Sequence, residues 1–171
     1  MQQRPIVIDT NLLLTYLAIR YLDGRDAPKA WRDQILTEIR GKAFAEPEQR
    51  RFLLKLGRQR VLPTPHVISE ALKLRKTSAF HQEKEAFRTV SLDIVASDVI
   101  SEIPCPIMEI CLHEDFRELI CLYGLTDAGL IFAASRTGAL VLTDDMRFFS
   151  YYSEKPGYVI ELLDIYLQEP A

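Results

Sequence analysis

Short unbroken apolar runs alternate along this chain with longer stretches whose apolar positions recur at helical spacing. Residues 5–8 are apolar on both faces and predict a short, buried, parallel strand. Thr10 or Asn11 then caps a helix carrying Leu12, Leu13, Tyr16, Leu17 and Ile19, ended near Gly24. A second helix opens at Pro28 and carries Trp31, Ile35, Leu36 and Ile39 as far as Gly41. A third, from about Glu46, sets Phe52, Leu53 and Leu56 on one stripe.

The second half repeats the pattern. Arg60-Val61-Leu62-Pro63 predicts another strand, and Pro65 opens a helix holding Val67, Ile68, Glu70, Ala71 and Leu74. A helix over 80–90 is followed by an extended piece over 92–95. Residues 107–123 read as helical, with Pro104 and Pro106 before them. A helix over 127–136, capped at Thr126 and ended by Gly138, leads into a strand over 139–143. A helical turn or two over 145–152 and a strand over 158–162 complete the chain. Strands alternating with helices predict one α/β domain, a parallel sheet covered on both faces.

Length agrees, since 171 residues suit one domain. No apolar run reaches the roughly 18 residues that would span a membrane, and residues 1–5 lack a signal-peptide core, so a cytoplasmic protein is expected. Cys105, Cys111 and Cys121 show no C-x-x-C spacing. With His113 nearby they could in principle share zinc, but free thiols in a reduced compartment are the plainer expectation.

Charge changes the picture. The net charge is −3, yet residues 40–76 carry ten basic side chains against three acidic ones, +7 against −10 for the remainder. That segment suits either a face that attracts phosphate or the solvated sides of surface helices.

Four acidic positions stand after apolar runs or on a helix face: Asp9 after Ile6-Val7-Ile8, Glu70 beside Val67 and Ala71, Asp127 after Leu125-Thr126, and Asp144-Asp145 after Val141-Leu142-Thr143. In open α/β sheets sites form at the carboxyl ends of strands, where such acids can meet. Carboxylates brought together need a cation, and oxygen donors favour Mg²⁺ or Mn²⁺. Each acid also has a structural role open to it. Asp9 can cap the first helix, Glu70 can pair with Lys73 or Arg75, and Asp127 can favour the helix dipole. Asp144 and Asp145 adjoin, so at most one faces the others while its neighbour caps the next helix or binds through water. Thr10 and Asn11 are candidates to orient Asp9.

Taken together these stretches resemble the PIN-domain ribonucleases, and within them the VapC-type toxin nucleases. The resemblance rests on Ile8-Asp9-Thr10-Asn11-Leu12-Leu13, Ile68-Ser69-Glu70-Ala71-Leu72, the stretch from Leu125-Thr126-Asp127-Ala128-Gly129 to Ala134, and Thr143-Asp144-Asp145-Met146-Arg147-Phe148. It implies a Rossmann-like α/β/α sandwich with a short, mostly parallel central sheet, spanning 1–171 as one PIN-like domain. It also implies Asp9, Glu70, Asp127 and Asp145 as catalytic metal ligands, Asp144 as the variable acid beside them, and Thr143 as a supporting hydroxyl. The activity implied is Mg²⁺- or Mn²⁺-dependent hydrolysis of RNA, leaving 5′-phosphate and 3′-hydroxyl ends. Homodimers are frequent in the family, and its toxins have an antitoxin partner.

Between Asp9 and Glu70 this chain carries a helical, basic insertion at about 25–60, longer than the compact toxins have there. Arg58, Arg60, Lys73 and Lys76 are the expected RNA contacts, chosen for nearness in sequence to Glu70. The competing expectation is a PIN-like module that binds protein or RNA with weak or no catalysis.

Overall fold

Strand β1 (Ile6–Ile8) is buried along its whole length, in a computed structural model that describes residues 4–23, 25–73, 83–97, 100–155, 157 and 159–168. Its Ile-Val-Ile sequence suits a strand covered on both faces. Beside it lies β2 (Leu140–Thr143), and beside β2 lies β3 (Ile160–Leu162), all three parallel. The register sets Ile6, Val7 and Ile8 opposite Leu140, Val141 and Leu142. Val141 and Leu142 in turn face Ile160 and Glu161.

Two further segments extend this sheet on the other side of β1. The Ile6 N–H donates to the Arg60 carbonyl, and its own carbonyl accepts from the Leu62 N–H. Val61 and Pro63 accept in turn from Ser101 and Ile103, and the Ile6–Val61 and Val61–Ile100 pairings are parallel. Across the sheet the chain order is therefore third, second, first, fourth, fifth. The order reverses between β1 and β2, and open α/β sheets place their ligand crevices at the carboxyl ends of strands at such a reversal.

Helices make up most of the rest. Helix α1 (Thr10–Asp23) is buried nearly all round, from Leu12 through Ile19 and again at Tyr21 and Leu22, as an apolar helix in a core must be. It packs against α2 (Lys29–Arg40) and α4 (Pro65–Leu72). Gly41 ends α2 in the left-handed conformation, φ 71°, and its N–H reaches the Thr37 carbonyl, a geometry that only a residue without Cβ adopts cheaply. Helix α3 (Glu46–Gly57) buries Phe52 and Leu56, the expected stripe.

The remaining helices are α5 (Lys84–Val95), α6 (Ile107–Leu112), α7 (Glu114–Tyr123), α8 (Leu125–Thr137), α9 (Met146–Tyr152) and α10 (Leu163–Gln168). Several differ from expectation. The extended piece over 92–95 is the last turn of α5, whose buried Phe87 and Ser91 keep the helical period. Residues 107–123 form two helices, broken where the His113 backbone turns extended. Helix α8 starts at Leu125, so Gly124 precedes it and Thr126 is not its cap. The Ile100–Ile103 pairing and α10 have no counterpart in the sequence reading. Leu74, Phe80 and the start of the predicted 80–90 helix lie outside the described residues.

The segment over 25–60 is fastened to the rest of the fold by its own cations. Arg51 Nη1 donates to the Leu167 carbonyl at 2.9 Å. Buried Lys55 donates through Nζ to the Tyr166 carbonyl and lies 4.4 Å from the centroid of the Tyr166 ring. Lys42 Nζ reaches Asp164 Oδ2 at 2.7 Å. Part of the basic segment therefore holds α10 in place, Lys55 from the interior and Arg51 and Lys42 from the surface. Among the described residues no helix is long and apolar enough to cross a membrane.

Candidate active site at the carboxyl edge of the sheet

Asp9 directly follows β1 and caps α1, the structural role open to it in the sequence, in place of Thr10 or Asn11. Its Oδ1 accepts from the Leu12 N–H at 2.8 Å, and its carbonyl accepts from the Leu13 N–H at 2.9 Å. Its Oδ2 faces the end of β2, accepting from the Thr143 hydroxyl at 2.6 Å and from the Asp144 N–H at 3.0 Å. The carboxyl is buried, and burial pushes its pKa above the ordinary carboxylate value. The three donors pull the other way without overcoming it. Among the described residues no lysine or arginine pairs with Asp9. A carboxylate offers about four lone-pair directions. Three are taken by these donors, so one direction on Oδ1 is left for a further partner.

Thr143 joins this acid to a second one. Its hydroxyl, donating to Asp9, accepts from the Asp145 N–H at 3.0 Å. The Asp145 side chain caps α9, with Oδ1 accepting from the Arg147 and Phe148 N–H groups at 2.8 and 3.2 Å. Capping occupies Oδ1 alone. Asp144 points elsewhere: Arg40 Nε and Nη2 donate to its Oδ2 and Oδ1 at 2.7 and 3.1 Å. Of the adjoining acids, then, one is a cap and the other half of an ion pair.

Glu70 arrives from α4 and is exposed. Its Oε2 accepts from the Thr10 hydroxyl at 3.0 Å, which ties it to the first residue of α1, next to Asp9. Thr10 thus serves Glu70 rather than orienting Asp9, while Asn11 sits partly buried in the same first turn. Asp127 occupies the first turn of α8 and is partly buried. Helix α8 packs along β1, β2 and α4 and ends just before β2 begins, so its first turn lies toward the carboxyl edge. Gly129 lets this helix come close to its neighbour, since a Cβ there would stand 2.9 Å from Cys105 Sγ.

Asp9 and Asp145 are thus brought together through Thr143, and Glu70 is brought to Thr10. Among the described residues, no three acidic, histidine or cysteine side chains stand close enough to hold one ion as they lie. Cys105, Cys111 and Cys121 are free thiols, and burial raises the pKa of Cys105 to about 11.

The expected RNA contacts divide. Arg58 and Arg60 are exposed but stand at the start of the 60–63 segment, level with Ile6, on the amino edge of the sheet. Lys73 is exposed at the end of α4, one turn beyond Glu70. Lys76 lies outside the described residues. Sequence reading missed Arg40, although its position four residues after buried Leu36 put it on the inward side of α2.

Compared with family models, curated proteins and solved structures, the chain finds no match in any of the three.

Proposed function

We propose that this chain is a PIN-like α/β/α nuclease that hydrolyses RNA phosphodiesters with the help of a divalent cation. One observation carries the reading. Asp9, a buried carboxylate that has no basic partner among the described residues, sits where the strand order reverses and is bridged through Thr143 to a second acid, Asp145. Burying a carboxylate is costly unless a cation compensates it, and the crevice at the reversal is where open α/β sheets place ligands.

Asp9, Asp145, Asp127 and Glu70 would hold Mg²⁺ or Mn²⁺, oxygen donors suited to a hard cation. The cation, when bound, supplies neutralisation of phosphate charge and acidification of water. The protein supplies orientation. Thr143 and the Asp144 N–H fix Asp9, the α9 cap fixes Asp145, and Thr10 steadies Glu70. Water adds to phosphorus as the bond to the 3′ oxygen breaks, leaving 5′-phosphate and 3′-hydroxyl ends. Lys73, past Glu70 on α4, is the RNA contact this reading retains. Arg58 and Arg60 face the other edge.

A binding or scaffold module with weak catalysis is the second reading. It is favoured by the structural bonds of Asp144 and Asp145 and by the absence of three converged acids among the described residues. Incubation with single-stranded RNA in Mn²⁺, Mg²⁺ or EDTA separates the two, with Asp127→Asn as the control. Cleavage that requires the cation and is lost in the variant supports the nuclease. RNA binding with no cleavage under any condition supports the module, and cleavage unaffected by EDTA contradicts the cation-dependent mechanism. The nuclease reading covers both a free processing enzyme and a toxin held by an antitoxin, and co-purification of a partner from native cells separates these.

A further inference from the structure

The 25–60 segment reaches the acid edge chiefly through Arg40. Arg40 is the last residue of α2, and its side chain is 1 % exposed; that of Asp144, its partner, is 5 % exposed. Two parallel bonds join them, and the guanidinium lies 4.1 Å from the centroid of the Phe44 ring, which fixes its plane. Lys42 adds a looser contact to Asp144 at 3.4 Å but is itself 44 % exposed. The other end of Asp144 faces the site, where its backbone N–H donates to Asp9 Oδ2 at 3.0 Å.

We propose that Arg40 is a positioning residue for the acid set: by holding the Asp144 carboxylate it aims the Asp144 N–H at Asp9 and keeps a competing carboxylate away from Asp9 and Asp145. The proposal rests on the metal-dependent nuclease reading and gives the insertion a task within it. Without the guanidinium the Asp144 carboxylate keeps only the looser contact to half-exposed Lys42, which leaves it free to turn outward or toward the other acids. Either turn moves the 143–145 backbone that orders Asp9. Lysine cannot replace the guanidinium, because a single ammonium does not supply two parallel bonds in one plane.

The test compares wild type with Arg40→Lys, with Arg40→Gln/Asp144→Asn, and with Asp164→Asn, which alters the exposed end of the same network. For each, kcat and KM on single-stranded RNA are measured in saturating Mn²⁺, together with Mn²⁺ affinity and the thermal midpoint. Arg40→Lys should fold normally and keep its KM, yet lose about 10–100-fold in kcat or in Mn²⁺ affinity, the range for groups that orient metal ligands. The Arg40→Gln/Asp144→Asn variant should show the same loss, because two neutral groups no longer fix the loop. Asp164→Asn should stay within about twofold of wild type, as expected for an exposed ion pair. A purely structural role would lower the thermal midpoint without separating kcat from KM in the folded protein. Wild-type kcat and Mn²⁺ affinity in Arg40→Lys would overturn the proposal while leaving the nuclease reading standing. A wild type that neither binds Mn²⁺ nor cleaves would overturn both. Should the double variant fail to fold, Arg40→Lys, which keeps the charge, decides alone.

Discussion

Thr143 donates its hydroxyl proton to Asp9 across 2.6 Å, from the end of β2 to the end of β1. The same oxygen accepts from the Asp145 N–H, so one buried hydroxyl orders both acids at the crevice. Replacement by valine keeps the shape and removes both bonds. Thr143→Val should lose about 1–3 kcal/mol of stability by urea denaturation, the cost of leaving buried polar groups unpaired. Thr143→Ser should recover most of it. Equal stability of wild type and Thr143→Val would mean that the bridge does not order the site.

Gly129 tests how tightly α8 must sit. Alanine favours a helix over glycine by about 1 kcal/mol, but its Cβ would meet Cys105 Sγ at 2.9 Å. Gly129→Ala should therefore be net destabilising by about 1–3 kcal/mol, as expected of overpacking. Adding Cys105→Ala should restore part of the loss in thermal denaturation. A stabilised single variant would show that the two segments yield freely.

Lys55 is a buried cation bonded to the Tyr166 carbonyl. Lys55→Met keeps the apolar stem and removes the charged bond. We expect a loss of about 1.5–3 kcal/mol, the usual worth of a hydrogen bond to a charged group, with proteolysis easier at α10. An unchanged urea midpoint and unchanged proteolysis would detach α10 from α3.

Asp164 should make stability depend on acid. Its carboxyl is held below the ordinary value of 3.8, chiefly by the hydrogen bond from Lys42, with the charges of Lys42 and Arg40 adding to it against some burial. A carboxyl lowered in the folded state stabilises fully above its unfolded pKa, and that contribution is lost as pH falls through the folded value. Wild type should thus be more stable than Asp164→Asn at neutral pH, the gap closing as pH falls below the ordinary value of 3.8 and through the lowered folded value. A gap that stays constant with pH would exclude the ion pair as its source.

Local features were readable from the chain, and distant pairings were not. The unbroken Ile6-Val7-Ile8 and Val141-Leu142 runs announce the central strands, and the polar residue after each marks the carboxyl edge. Gly41 and Gly138 end helices in left-handed conformations, φ 71° and 65°, as their positions after apolar stripes suggested. The 92–95 stretch misled because Leu92, Ile94 and Val95 read as a strand, while Leu92 is 54 % exposed and only the period of Phe87 and Ser91 reveals the helix. The Ile100 segment pairs through one bridge and leaves no alternation to detect. Arg40 and Asp144 are 104 residues apart. Charge counting over 40–76 offered a phosphate-attracting face or solvated helix sides, and neither anticipates that Arg40, Lys42, Arg51 and Lys55 fasten the first part of that stretch to Asp144 and α10. Asp9 was chosen as a site residue and proved also to be the helix cap, two roles that one carboxylate can fill with its two oxygens.

The central claim is that Asp9 and its neighbours hold a divalent cation. Calorimetric titration of Mn²⁺ into wild type and into Asp9→Asn, each first shown to be folded by circular dichroism, tests it most directly. The account predicts saturable binding to wild type, reversed by EDTA, and none to Asp9→Asn. Equal binding to both proteins, or no binding to wild type, would contradict it.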